Sequence, residues 1–138
     1  MESLSMQEHE RWLQIVDKDL KSAKILLKSE LFSTASYHCQ QAAEKALKAY
    51  LVFKDQEIIK THDLVKLAEL CSQIDKTFEK LYDDAIYLNP LATKFRYPTE
   101  FDIPSFEDAK VSIKKTQKIV NFVLKKIAEP ETGQKELF

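Results

Sequence analysis

Apolar residues recur at three- and four-residue steps along most of this chain, which is the period of an α-helix. Trp12, Leu13, Val16, Leu20, Ala23 and Leu27 form the first stripe and predict a helix from about Gln7 to Ser29. Lys18, Lys21 and Lys28 point elsewhere. Asp19 does not escape so easily: at about 100° per residue it projects on the flank of the stripe, between Trp12 and Ile15. A carboxylate there is expected to be partly buried and to need a cation or a hydrogen-bond donor.

The second stripe predicts a helix from Ser33 or Thr34 to Lys54. Cys39, Ala42, Ala43, Ala46, Leu47, Ala49, Tyr50 and Phe53 fill about half of its wheel. Gln40, Gln41, Glu44, Lys45 and Lys48 fill most of the other half, away from the alanines, and His38 sits at the border. The alanines let a neighbouring helix approach closely, which predicts the centre of a bundle. A loop from Asp55 to Lys60 follows. Thr61 is the expected N-cap of a third helix, with Asp63 in its first turn. Leu64, Leu67, Cys71 and Ile74 make that helix's stripe. A fourth helix is expected from Asp75 or Thr77, with Phe78, Leu81, Tyr82 and Ala85 inward and Pro90 ending or kinking it.

Residues 95–104 show no helical period, hold two prolines and are rich in aromatics, which reads as an ordered loop. Ser105 and Asp108 have the spacing of a capping box and predict a last helix to about Ile127. Its expected core face is Phe106, Ala109, Ile113, Val120, Leu124 and Ile127, with Val111 and Phe122 on the other side as a small partner-facing patch. The polar stretch from Glu129 to Phe138, with Pro130 and Gly133, reads as a flexible tail. The whole is an all-α antiparallel bundle of about five helices, four long and one shorter, over residues 1–128.

Composition narrows the function. The chain has 138 residues, enough for one domain and not for two. A single glycine excludes phosphate-binding loops and dinucleotide fingerprints. Charged residues make up 31% of the chain but sum to a net charge of −1, so a nucleic-acid partner such as RNA is allowed by a local patch and not supported by the global charge. Neither a signal segment nor an apolar run of about 20 residues is present, so the expectation is a cytoplasmic protein with no membrane partner. No metal site is expected, because none of His9, His38 or His62 follows an acid at three residues' spacing and the cysteines are unpaired in sequence. No cofactor is expected. Cys39 reads as a small buried hydrophobe, and it does not face His38 on the helix.

What remains is a polar constellation: His38, Gln41, Lys45 and Lys48 on the second helix, Asp19 from the first, His62 and Asp63 at the start of the third, and Arg96 and Tyr97 in the long loop. Two readings stay open. One is a cleft for an anionic ligand such as a nucleotide or an RNA phosphate, with Lys45 and Arg96 as cations. The other is a solvated helix face, with Arg96 pinning its loop to a carboxylate such as Asp19.

The run Ala35-Ser36-Tyr37-His38-Cys39-Gln40-Gln41-Ala42-Ala43-Glu44-Lys45-Ala46-Leu47-Lys48-Ala49-Tyr50-Leu51 resembles the signature helix of the HEPN family (higher eukaryotes and prokaryotes nucleotide-binding). Asp19 and Ala23, Thr61-His62-Asp63-Leu64, and Arg96-Tyr97-Pro98 extend the resemblance to about Glu8–Ile127. It implies a bundle of about five helices, often a homodimer, commonly paired with a minimal nucleotidyltransferase in a toxin–antitoxin-like module. Some branches are metal-independent ribonucleases with an Arg, four to six spacers, then a His. Here the positions after Arg96 are Phe101, Asp102 and Ile103, and those after Arg11 are Val16, Asp17 and Lys18. The usual acid/base histidine is missing, so the resemblance points to a non-catalytic member that binds a nucleotide or a nucleotidyltransferase partner. The alternatives are a divergent ribonuclease using His38 or His62, and a purely structural oligomerisation module.

Overall fold

A computed structural model describes residues 6–94 and 103–130 of the chain. Most of the expected loop over 95–104 and of the expected tail from Glu129 onward lies outside those residues. Helix α1 spans Glu8–Lys28 and α2 spans Phe32–Phe53; α3, Leu64–Ile74, leads through a 3-10 segment, Lys76–Leu81, into α4, Tyr82–Leu88. The single turn α5, Leu91–Lys94, precedes α6, Phe106–Ala128. No strand occurs among the described residues. The all-α bundle expected from the stripes is the observed architecture.

Helix α2 is its axis. Helix α1 packs antiparallel to it, with the His9 ring against Phe53 at one end and Asp19 reaching His38 nearer the other. Helix α6 runs alongside α2 in the same direction: Phe106 meets Phe32, and Thr116 Oγ1 donates to the Cys39 carbonyl at 3.3 Å. The close approach rests on small residues, since Ala35, Ala42, Ala43, Ala46 and Ala49 are wholly buried. Leu47, Tyr50, Leu64, Leu67, Phe78, Leu81, Leu88, Ile119 and Val123 complete the core.

Both long N-terminal helices end without glycine. Glu30 and Asp55 take left-handed backbone, with φ of 61° and 59°. Leu31 N–H bonds the Leu26 carbonyl and Gln56 N–H bonds that of Leu51, each at 2.9 Å. Those bonds satisfy carbonyls the helix leaves open, and they offset the steric cost of the left-handed residue.

Several local expectations change. The N-cap of α3 is Asp63, not Thr61: its carboxylate accepts from Val65 N and Lys66 N, while Thr61 Oγ1 accepts from Asp63 N. The fourth helix divides, because Asp75 caps a 3-10 segment and Pro90 separates α4 from α5. In α6 the capping box is present, with Asp108 N to Ser105 Oγ at 3.0 Å and Ser105 N to Asp108 Oδ2 at 2.9 Å. Its core face is rotated from the expected one. Ala109, Ser112, Thr116, Ile119, Val120 and Val123 are buried, whereas Phe106 and Leu124 are exposed. Val111 faces outward, but Phe122 is half-buried with its ring 4.9 Å from Phe78, so the pair is not a free partner patch. The largest correction concerns α2, where Gln40, Glu44 and Lys48 are buried rather than solvated.

Candidate functional site

The alanine side of α2 packs into the bundle, and its polar side is covered as well, by α1 and by the chain entering α3. Two carboxylates organise that covered face. Asp19, buried on α1, takes His38 Nδ1 on Oδ1 and Lys45 Nζ on Oδ2, both at 2.9 Å. His38 and Lys45 are seven residues apart, almost two full turns, so one carboxylate reaches both. Asp19 thus holds the partners its place on the flank of the α1 stripe demanded.

Glu44 is the second. Its Oε2 takes Lys48 Nζ at 3.0 Å, one turn along α2, with both side chains buried. Its Oε1 takes His62 Nδ1 at 3.0 Å, although the His62 ring is 80% exposed. Lys48 Nζ also lies 5.9 Å from the centre of the Trp12 ring, whose negative face adds to its stabilisation.

His62 is held by its backbone too. Gln40, fully buried, donates from Nε2 to the His62 carbonyl at 3.1 Å and accepts from Gln41 Nε2 at 2.8 Å. Asn89 at the end of α4 fixes the start of α3: it accepts from Leu64 N at 2.8 Å and donates to Asp63 Oδ1 at 3.1 Å. Asp63 itself is therefore committed to the helix cap.

On the α2 wheel His38 and Glu44 lie about 120° apart, with Gln41 and Lys48 between them. The half-buried Gln41 forms the floor, the Asp19-held His38 one flank and the Glu44-held His62 the other. Asp19, His38, Gln41, Lys45, Lys48 and His62 are thus joined through two linked clusters, while Arg96 and Tyr97 lie outside the described residues. Glu44, Gln40, Trp12 and Asn89 belong to the site and escaped the sequence reading. The i, i+4 spacing of Glu44 and Lys48 was the available signal for the first of them.

The electrostatics differ from those of an open cation cleft. Each lysine is matched by a buried carboxylate, and each imidazole meets its carboxylate through Nδ1. A neutral imidazole so placed carries its proton on Nδ1 and presents Nε2 as an acceptor. Cys39 is no part of this chemistry. Its burial pushes the thiol up to about 12, as burial does for Cys71. Among the described residues no group of three or more His, Cys, Asp or Glu side chains is placed to hold a metal ion. None of their helices is long and apolar enough to cross a membrane.

The fold has known counterparts. The crystal structure of ST0689, an archaeal HEPN homologue, superposes with a TM-score of 0.74 at 24% identity, over 88% of this chain and 99% of that one. TT1696 from Thermus thermophilus superposes with a TM-score of 0.76 at 26% identity, over the same shares. No curated protein matches the chain. The model of the HEPN domain matches residues 9–127, which include every described residue of the two clusters. The chain belongs to the HEPN domain family.

Proposed function

We propose that this protein is a non-catalytic HEPN module that binds a nucleotide on the covered polar face of α2, as the partner of a minimal nucleotidyltransferase in a toxin–antitoxin-like pair. One observation carries the reading. Two imidazoles are set from beneath by buried carboxylates, Asp19 and Glu44, on either side of Gln41. Taking charges out of water is costly, so a face built this way is more than a solvated helix surface.

The paired charges also refine the recognition. Lys45 and Lys48 are neutralised by their carboxylates, so the face offers directional acceptors and donors rather than a bare positive patch. His38 and His62 Nε2 accept hydrogen bonds from a base or a ribose, and Gln41 supplies an amide. Lys45, exposed enough to swing outward, is the cation for a phosphate. The missing histidine of the ribonuclease spacing removes the usual acid/base and favours binding over cleavage.

Calorimetry with a panel of nucleoside triphosphates tests this. The reading predicts binding to at least one of them, weakened about tenfold or more in Lys45→Ala through loss of one charge-assisted contact. No heat with any triphosphate, or an unchanged affinity in Lys45→Ala, overturns it. Breakdown of the ligand during the titration, abolished in a His38→Ala/His62→Ala variant, assigns a hydrolytic role instead.

A further inference from the structure

A cavity of about 300 Å³ opens on a different side of α2, between the α4–α5 corner and the start of α6. It shares no residue with the Asp19 and Glu44 clusters. Two serines line its inner end. Ser112, on α6 and 1% exposed, donates from Oγ to the Asp108 carbonyl at 3.0 Å and keeps free lone pairs. Ser36, on α2 and also 1% exposed, has no hydrogen-bond partner for its Oγ. A serine inside a helix ordinarily donates to the carbonyl one turn back. Ser36 does not, and a buried hydroxyl left without a partner is costly enough that native structures seldom keep one.

The remaining walls say what would meet it. Pro90, Leu91 and Pro104 are apolar and nearly without polar atoms to offer. The Tyr87 ring lies beside them, steadied by Lys115 Nζ at 5.2 Å from its centre. At the rim stand a cation, Lys94, and a carboxylate, Asp108, whose charges offset each other. Asp108 is moreover committed to the Ser105 backbone N–H. The cavity therefore selects for no net charge, has flat apolar walls, and ends on an unsatisfied hydroxyl. Its volume lies at the small end of ligand pockets.

We propose that this cavity binds a small, uncharged, planar heterocycle whose hydrogen-bonding edge engages Ser36 Oγ. The shape and the walls accept the ring, and Ser36 with Ser112 reads its polar edge. A ring without donors or acceptors leaves the hydroxyl as it is and gains only the apolar contact.

The test is an NMR titration of the full chain with uracil, adenine and benzene, following backbone amides. The expected result is a saturable shift at Ser36, Tyr87 and Ser112 with uracil or adenine and none with benzene at equal concentration. Ser36→Ala should weaken that binding about fivefold, the loss of one neutral hydrogen bond, while leaving the melting temperature of the free protein unchanged or higher. The proposal is overturned if neither heterocycle shifts these amides, or if Ser36→Ala binds equally well. It is also overturned if Ser36→Ala lowers the melting temperature, because water then already satisfies the hydroxyl and the cavity holds solvent only.

Discussion

A carboxylate stays charged beneath a protein surface only when both oxygens are met, and Glu44 shows how completely that is done here. Lys48 and His62 take its two oxygens, and the side chain is 4% exposed. Glu44→Ala should leave the Lys48 ammonium buried without its counter-charge, at a cost of about 3 kcal/mol. Urea unfolding measures this directly, and a loss below about 1 kcal/mol would mean that Lys48 escapes to water. Asp19 plays the same part for His38 and Lys45. The sequence made Asp19 legible as a flank carboxylate in need of a partner. It did not make Glu44 legible, because a wheel describes one helix and Glu44 is buried by two others. Arithmetic along α2 placed Gln41, Lys45 and Lys48 on one face correctly, and only the neighbours decide whether such a face meets water or protein.

Helix boundaries show a similar division. Ser105 and Asp108 announced the start of α6 because a capping box needs only local atoms. Its carboxylate is held below the usual carboxylate range, first by the Ser105 backbone N–H and then by the Ser105 hydroxyl. A depressed value in the folded state gives stability that is present above the unfolded value and lost as pH falls through the folded one. Ser105→Ala should therefore cost about 1 kcal/mol at neutral pH, and the difference from wild type should shrink as pH drops through and below the carboxylate range. Thermal melts of the two proteins across pH check this; a difference that grows on acidification would contradict it. The start of α3 was less legible. Thr61 and Asp63 both have capping chemistry, and the choice falls to Asp63 because Asn89, distant in sequence, binds it and Leu64 N–H. The division of the fourth helix has a local cause in Asp75, which caps a 3-10 turn, and in Pro90. The rotated face of α6 has a tertiary one. Phe122 turns in to meet Phe78, and Thr116, polar on the wheel, is buried by bonding the Cys39 carbonyl.

At the scale of the molecule, helix α2 is enclosed on all sides, and its two halves are enclosed by different means. Alanines bring α6 against one half, and matched charges bring α1 and the start of α3 against the other. Hydrophobic periodicity announces the first mechanism and is blind to the second, which is why the fold and family were legible while the state of the site was not. The charges are also spread unevenly. In α6, Lys115 and Lys118 meet Asp84 of α4, and Lys126 meets Asp75. These pairs tie α6 to the acidic side of the bundle and keep its lysines from forming one open basic surface. Asp75 feels opposing influences: partial burial pushes its carboxyl up, but the bonds from Thr77 and Lys126 outweigh it and hold the value low. Such inward pairing suits a protein that recognises by shape and hydrogen bonds more than by long-range attraction.

The central claim is that His38 and His62 are oriented through Nδ1 by Asp19 and Glu44, leaving Nε2 to meet a ligand. Nitrogen-15 NMR of the imidazoles reads this most directly, at mildly alkaline pH where an ordinary imidazole is neutral. The account predicts that both rings carry their proton on Nδ1, and that both Nε2 signals move when the triphosphate bound in calorimetry is added. Rings whose proton resides on Nε2, or Nε2 signals that stay fixed at ligand saturation, would contradict it.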